Sequence, residues 1–200
     1  MVKVWKRVEK LGGKMYLIVG LGNPEPEYSK TRHNMGFDVI NKLAKQYGIE
    51  LSRSNFEGIY GTGIIENEKV ILLKPQTYMN LSGQSIKKYI DFYKIPLENI
   101  LVVFDDMDTE KEKIKIRKMG GPGTHNGAKS VVHELQSEQF ARIRVGIGRP
   151  IDNDEIIDYV ITPIQDEQEY KQLEIGIEKA KDAIIEYLKN GIDKAMNKFN

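Results

Sequence analysis

The chain has 200 residues, of which 40% are hydrophobic and 30% charged, with a formal net charge of +1 and no cysteine. That suffices for one ordinary domain with a sizeable core, and it excludes a disordered chain, a disulfide scaffold, thiolate metal sites and cysteine nucleophiles. No apolar run approaches the roughly 20 residues of a membrane span, the N-terminus is too charged for a secretory signal, and near-zero net charge means that a nucleic-acid partner would need a local basic patch, so a soluble protein of the cytoplasm is expected.

Residues Met1 to Lys14 match nothing regular and read as a native extension or an added segment, which leaves Met15 to Asn200 for the folded domain. Met15 to Leu21 reads as a buried strand running into Gly20-Leu21-Gly22. Thr31 to Tyr47 reads as an amphipathic helix: Val39, Ile40, Leu43, Ala44 and Tyr47 recur at helical spacing, and Gly48 stands where a helix-ending glycine would. "GIYGTGII" and "KVILLK" flank "ENE" as a hairpin, which Pro75 stops. Ser82 to Tyr93 is a predicted helix, broken by Pro96, and "ILVVF" is an apolar strand ending at Asp105-Asp106. "KIKIRK" alternates with period two, as a strand with one wet face. "MGGPGTHNG" is a loop, Ala128 to Leu135 a helix, "ARIRVGIG" a second alternating strand, and the chain beyond Asp154 is mostly helical. Strands alternating with helices predict an α/β sheet with helices on both faces.

A strand entering Gly-x-Gly suggests a dinucleotide loop, but the third glycine position holds Glu25 between Pro24 and Pro26. The prolines oppose a helix start there, and Glu25 and Glu27 would repel a phosphate. Gly20 and Gly22 are therefore read as letting the chain turn off the strand end and present Asn23 at the carboxyl edge of the sheet. Of the three histidines, His133 lies beside apolar residues of a helix and reads as structural, His125 stands in the glycine loop within reach of a ligand, and His33 in "TRHNMG" is the strongest candidate for chemistry. Asp105 and Asp106 follow a buried strand at the same edge. With Asp108 they could form a divalent-metal site, although no second acidic cluster completes the shell. No Gly-x-Ser-x-Gly elbow exists, so a hydrolase built from His33 and Asp105 would use water as nucleophile and histidine as general base. Asn23, Asn80 and Asn126 each stand in a loop or at a helix start near a glycine, and asparagine offers a donor and an acceptor without charge.

"VGLGNPEPEYSKTRHNMG", "KPQTYMNLSG", "VVFDDMD", "GGPGTHNG" and "RIRVGIGRP", in this order, closely resemble the bacterial peptidyl-tRNA hydrolase family from about Met15 to the C-terminus. The resemblance implies a monomeric domain around a twisted mixed β-sheet. It implies hydrolysis of the ester joining a peptide to the terminal ribose of tRNA, without metal or cofactor. By motif, His33, Asp105 and Asn23 form the catalytic set: His33 accepts water's proton, Asp105 holds the histidine in its basic orientation, and Asn23 helps separate blocked from unblocked aminoacyl-tRNA. Tyr28, Tyr78, Asn80 and Asn126 would contact the tRNA end and its peptide, and Met79 would line the pocket. The chain departs from the family at Glu25, where glycine is usual. It also lacks the Leu-Pro and glycine that often follow the acidic turn, and it has Pro122 and Thr124 where smaller residues are common.

On "EKIKIRK" Lys113, Lys115 and Arg117 share one strand face, and Arg142 and Arg144 repeat the device on "ARIRVG". Same-face residues lie roughly 6.5–7 Å apart, close to the spacing of successive phosphates along one nucleic-acid strand. Charge alternation alone favours a solvated face of a half-buried sheet over a phosphate site. The resemblance assigns phosphate contacts to Arg117 and Arg144, a small clamp on the acceptor end of tRNA. Two alternatives stand beside the hydrolase: a non-catalytic RNA-binding relative, which would be expected to lose His33 or Asp105, and a small-molecule amidase or esterase, which would not need paired basic strands.

Overall fold

The computed structural model describes residues 14–150 and 155–200; residues 1–13, most of the expected extension, lie outside them. The elements in chain order are β1 (Met15–Gly20), α1 (Met35–Tyr47), β2 (Arg53–Asn55), β3 (Gly58–Ile65), β4 (Glu68–Pro75), α2 (Ser82–Tyr93), β5 (Ile100–Asp106), β6 (Ile114–Arg117), α3 (Asn126–Leu135), β7 (Ala141–Gly146), α4 (Ile156–Ile161), α5 (Glu167–Asn190) and α6 (Ile192–Phe199). The strands form one sheet in the order β2-β3-β4-β1-β5-β7-β6. β4, β1, β5 and β7 run parallel at its centre, while β2, β3 and β6 pair antiparallel at its edges. This is the mixed sheet that was expected.

β1 is apolar on both faces because both are covered. Ile18 enters one core with Val39, Ile40 and Leu43 of α1 and Leu173 and Ile177 of α5. Leu17 and Val19 enter a second core with Ile86 and Tyr89 of α2 and Val131 of α3. Strand alternation thus divides one apolar run between two helical layers.

Local chemistry shifts several boundaries. A 3-10 turn over Arg32–Asn34 precedes α1, so the expected helix starts at Met35 rather than Thr31. Pro75 ends β4 as its last residue. β2 was not foreseen. It joins β3 through Phe56-Glu57, both at positive φ (47° and 53°), in a two-residue turn without glycine or asparagine to announce it. The tip is held instead by the Phe56 ring, edge-on to Tyr89 at 5.4 Å. The exposed flank of β6 meets the chain end: Asn200 accepts from Ile116 N at 2.6 Å and donates to Ile116 O at 3.1 Å, covering an edge that would otherwise offer unpaired backbone. Among the described residues no helix is long and apolar enough to cross a membrane.

Candidate active site

The carboxyl ends of the four parallel strands lie side by side, and their loops converge on a cavity of about 470 Å³. Open α/β sheets carry ligands at this edge. Backbone-to-backbone packing sets its shape. A Cβ at Gly20 would stand 2.0 Å from Gly36 O, and one at Gly36 would stand 2.4 Å from Leu21 N. The first turn of α1 therefore lies directly on the end of β1, which brings the preceding 3-10 turn and His33 over β5. This corrects the reading of Gly20 and Gly22 as turn formers. Neither has positive φ, and a Cβ at Gly22 would strike the Phe37 ring. They serve close helix–strand contact.

Asp105 is the penultimate residue of β5, its side chain is 3% exposed, and two histidines meet it. His33 Nδ1 lies 3.0 and 3.1 Å from the two carboxylate oxygens, and His125 Nε2 lies 2.9 Å from Oδ1. The rings stand 4.8 Å apart, and the Phe104 ring also lies 4.8 Å from that of His125. Burial alone would raise the Asp105 pKa, but the two histidines outweigh it and hold the carboxyl well below the usual carboxylate range. Burial alone would lower the His33 pKa, but the Asp105 charge and hydrogen bond outweigh it and push the imidazole up.

Hydrogen bonds fix both tautomers. His125 is the N-cap of α3, and its Nδ1 accepts from Ala128 N at 3.1 Å, so its proton sits on Nε2 and is donated to Asp105. His33 donates from Nδ1 to the same carboxylate, which leaves Nε2 as the basic nitrogen of a ring that lines the cavity. His33, Asp105 and His125 are the one grouping among the described residues whose ligand atoms, all within 4.8 Å of one another, suit a metal ion. An ion on His125 Nε2 would force the proton onto Nδ1, against the Ala128 N–H, so the donor set fits hydrogen bonding rather than coordination. The expected alternative of Asp105, Asp106 and Asp108 is dispersed: Asp106 accepts from Thr109 Oγ1 at 2.5 Å, and Asp108 pairs with Arg149.

Asn23 is 8% exposed and tightly held. Asn34 Oδ1 accepts from Asn23 N at 2.8 Å, and Asn34 Nδ2 donates to Asn23 O at 3.0 Å. Asn23 Oδ1 accepts from Met79 N at 3.0 Å. The oxygen is thus occupied, and Nδ2 remains as the group that Asn23 can offer a ligand.

Asn23, His33, Tyr78, Met79 and Asn80 line the cavity together with Asp105, Asn126 and Arg144. Tyr78 is 62% exposed at its rim. Tyr28 and Arg117 do not line it. Tyr28 is half-buried in the turn Pro26–Tyr28, and Arg117 stands exposed on β6. Arg142 corrects the symmetrical picture of two wet basic strands. It is fully buried, stacks 4.2 Å from the Phe140 ring, and donates to Gly121 O and Glu138 O. His133, expected to pack, is 79% exposed and touches none of the site. Sequence reasoning also missed Asn34, whose only signal is its place beside His33, and the apolar wall that Ile156, Val160 and Ile161 of α4 set across the cavity.

The model of the peptidyl-tRNA hydrolase family matches residues 17–200. The peptidyl-tRNA hydrolase of Caldanaerobacter subterraneus subsp. tengcongensis is 50% identical over 186 residues, covering 93% of this chain and 100% of that protein. The peptidyl-tRNA hydrolase of Clostridium botulinum is 48% identical over 186 residues, covering 93% and 96%. The crystal structure of the Acinetobacter baumannii peptidyl-tRNA hydrolase superposes with a TM-score of 0.85 at 39% identity, over 92% of this chain and 93% of that one. On the fold, the site and these likenesses together, the chain belongs to the peptidyl-tRNA hydrolase family.

Proposed function

We propose that this chain hydrolyses the ester between a peptide, or an N-blocked amino acid, and the terminal ribose of tRNA, with His33 as general base. The observation that carries the mechanism is the Asp105–His33 contact at 3.0 Å on Nδ1, which leaves Nε2 free to hold water. Nε2 takes the water proton as the oxygen attacks the ester carbonyl, and the imidazolium so formed is stabilised by Asp105. The tetrahedral oxyanion then collapses, the ribose oxygen leaves, and the imidazolium returns its proton to it. The products are a free carboxylic acid and tRNA ending in a hydroxyl. Asn23 Nδ2 donates to a carbonyl of the acyl group, Asn80 and Asn126 supply further uncharged polar contacts, and Met79 forms part of the floor. Tyr28 and Tyr78 flank the incoming 3′ end.

Arg117 and Arg144 take a phosphate near the acceptor end. Arg117 stands opposite Arg142 and Lys115 opposite Arg144, so Arg117 and Arg144 are diagonal neighbours on one face, roughly 7–8 Å apart. One phosphate fits between two guanidinium forks at that spacing. The protein acts as a monomer in the cytoplasm, where charged tRNA is made and used. The test is release of tRNA from N-acetyl-aminoacyl-tRNA by the purified chain. Cleavage is expected. Absence of cleavage, or equal efficiency on small esters with no tRNA attached, would contradict the reading and favour an RNA-binding protein or a general esterase.

A further inference from the structure

Among the described residues two arginine–carboxylate pairs differ in kind, one behind the turn that carries His33 and one in the cavity lining. Arg32, next to His33 in sequence, grips Glu169 through a two-oxygen fork: Nε lies 3.0 Å from Oε1 and Nη2 lies 2.6 Å from Oε2. Both side chains are almost buried, at 10% and 13% exposure. Arg32 also donates to Tyr159 O and lies over the Tyr159 ring, so this pair fastens α4 and α5 to the turn that carries His33. The other pair is Arg149 with Asp108. Nε lies 2.9 Å from Oδ1, and Nη2 reaches the same oxygen. Here the side chains are 51% and 56% exposed. An exposed pair engaging one carboxylate oxygen contributes little to folding and exchanges easily for another anion.

Both residues of this second pair line the catalytic cavity. They also end a run of cations. Arg117 and Lys115 occupy one face of β6, Arg144 stands opposite Lys115 on β7, and Lys115 Nζ donates to Asp108 O at 3.2 Å. Arg117 lies outside the cavity, whereas Arg144 and Arg149 line it. The run therefore leads from the outer surface to within the chamber that holds His33. A nucleic-acid strand following it carries one phosphodiester per nucleotide, and the last lies immediately before the esterified ribose.

We propose that Arg149 binds the phosphodiester nearest the RNA 3′ end, and that Asp108 is a resident anion that parks the guanidinium at the cavity mouth until the phosphate displaces it. This rests on the tRNA-ester reading above. Arginine suits the task because its planar fork matches two phosphate oxygens as well as it matches a carboxylate. Asp108 pays twice against the phosphate, by competing for Arg149 and by placing a like charge near it. Asp106 competes less, because Thr109 Oγ1 and Asp108 N already occupy its oxygens.

The two members of the pair are thereby assigned opposite effects, which a brace between loops would not show. The experiment is steady-state hydrolysis of N-acetyl-aminoacyl-tRNA by the unaltered chain, Arg149→Gln and Asp108→Asn across a salt series, with N-acetyl-aminoacyl-adenosine, which has no phosphate, as reference. Arg149→Gln should raise KM for the tRNA substrate about tenfold relative to the reference, with kcat little changed, and should flatten log KM against log salt by about 0.7, one single-strand phosphate contact. Asp108→Asn should lower KM about two- to threefold, because the competitor is gone. An unchanged KM and slope in Arg149→Gln would overturn the inference, as would a rise in KM in both variants. If the unaltered chain cleaves neither substrate, the ester reading itself falls, and this inference with it.

Discussion

At the floor of the cavity Asp105 is 3% exposed and meets two histidines, both on Oδ1; at the mouth Asp108 is 56% exposed and takes both bonds of Arg149 on one oxygen. Each region pairs an acid with nitrogen donors, yet burial makes them different devices. On the floor every proton position is dictated by a neighbour: Ala128 N fixes His125, and His125 and His33 fix Asp105. A charged acceptor in low dielectric that loses a partner is costly, so the geometry is held before substrate arrives. At the mouth water screens the charges and partners exchange at little cost. Under the proposed function, the fixed groups would serve bond breaking and the exchangeable ones capture of a flexible, highly charged ligand.

The contrast can be broken most severely on the floor. His33→Ala should lower kcat on N-acetyl-aminoacyl-tRNA by about 10²–10⁴-fold, the usual worth of a positioned general base, while tRNA affinity and the far-UV spectrum stay near normal. Turnover within a few-fold of the unaltered chain would remove His33 from the chemistry. Between floor and mouth stands Asn23, whose oxygen is committed to Met79 N and whose Nδ2 donates. Asn23→Asp replaces that donor with an acceptor that welcomes an ammonium. The ratio of kcat/KM for N-acetylated over free aminoacyl-tRNA should fall about tenfold or more, since a site that pairs one polar group strongly rejects its analogue. A constant ratio would move discrimination to Asn80 or Asn126. The smallest effects belong to the pair that leads out of the cavity, Arg144 in its lining and Arg117 beyond it. Arg117→Gln and Arg144→Gln should each weaken tRNA binding and flatten its salt dependence by about 0.7–0.9 in log–log slope. Unchanged slopes in both would dissolve the clamp.

The parts of this arrangement that local pattern controls were readable in the chain. Apolar runs and their period place β1, β5 and α2, and the motif-bearing loops follow from where those elements end. What was hidden depends on contacts distant in sequence. Lys115 and Arg117 alternate with isoleucines as a half-wet strand should, but Arg142 follows the same pattern and is buried, because Phe140 and the carbonyls of Gly121 and Glu138 enclose it. Alternation reports a face, not what covers it. His125 could be placed in a loop but not on Asp105, because helix capping by a histidine ring has no sequence signature that separates it from a loop residue. Gly20 was readable as special, though for the wrong reason, since its partner Gly36 lies sixteen residues on in another element.

The most direct test of the central claim, that Asp105 orients and charges His33 as the base, is the pH dependence of kcat/KM for N-acetyl-aminoacyl-tRNA in the unaltered chain, Asp105→Asn and Asp106→Asn. A base must be neutral to act, so a raised His33 pKa moves the acid limb of the profile to higher pH. The unaltered chain should therefore lose activity on acidification through a pKa above the ordinary 6.5 of histidine. Asp105→Asn removes the charge that favours imidazolium while burial remains, so its lower profile should have an acid limb shifted to below that value. Asp106→Asn should leave the limb where it is. An acid limb that stays in place in Asp105→Asn, or that moves only in Asp106→Asn, would contradict the account.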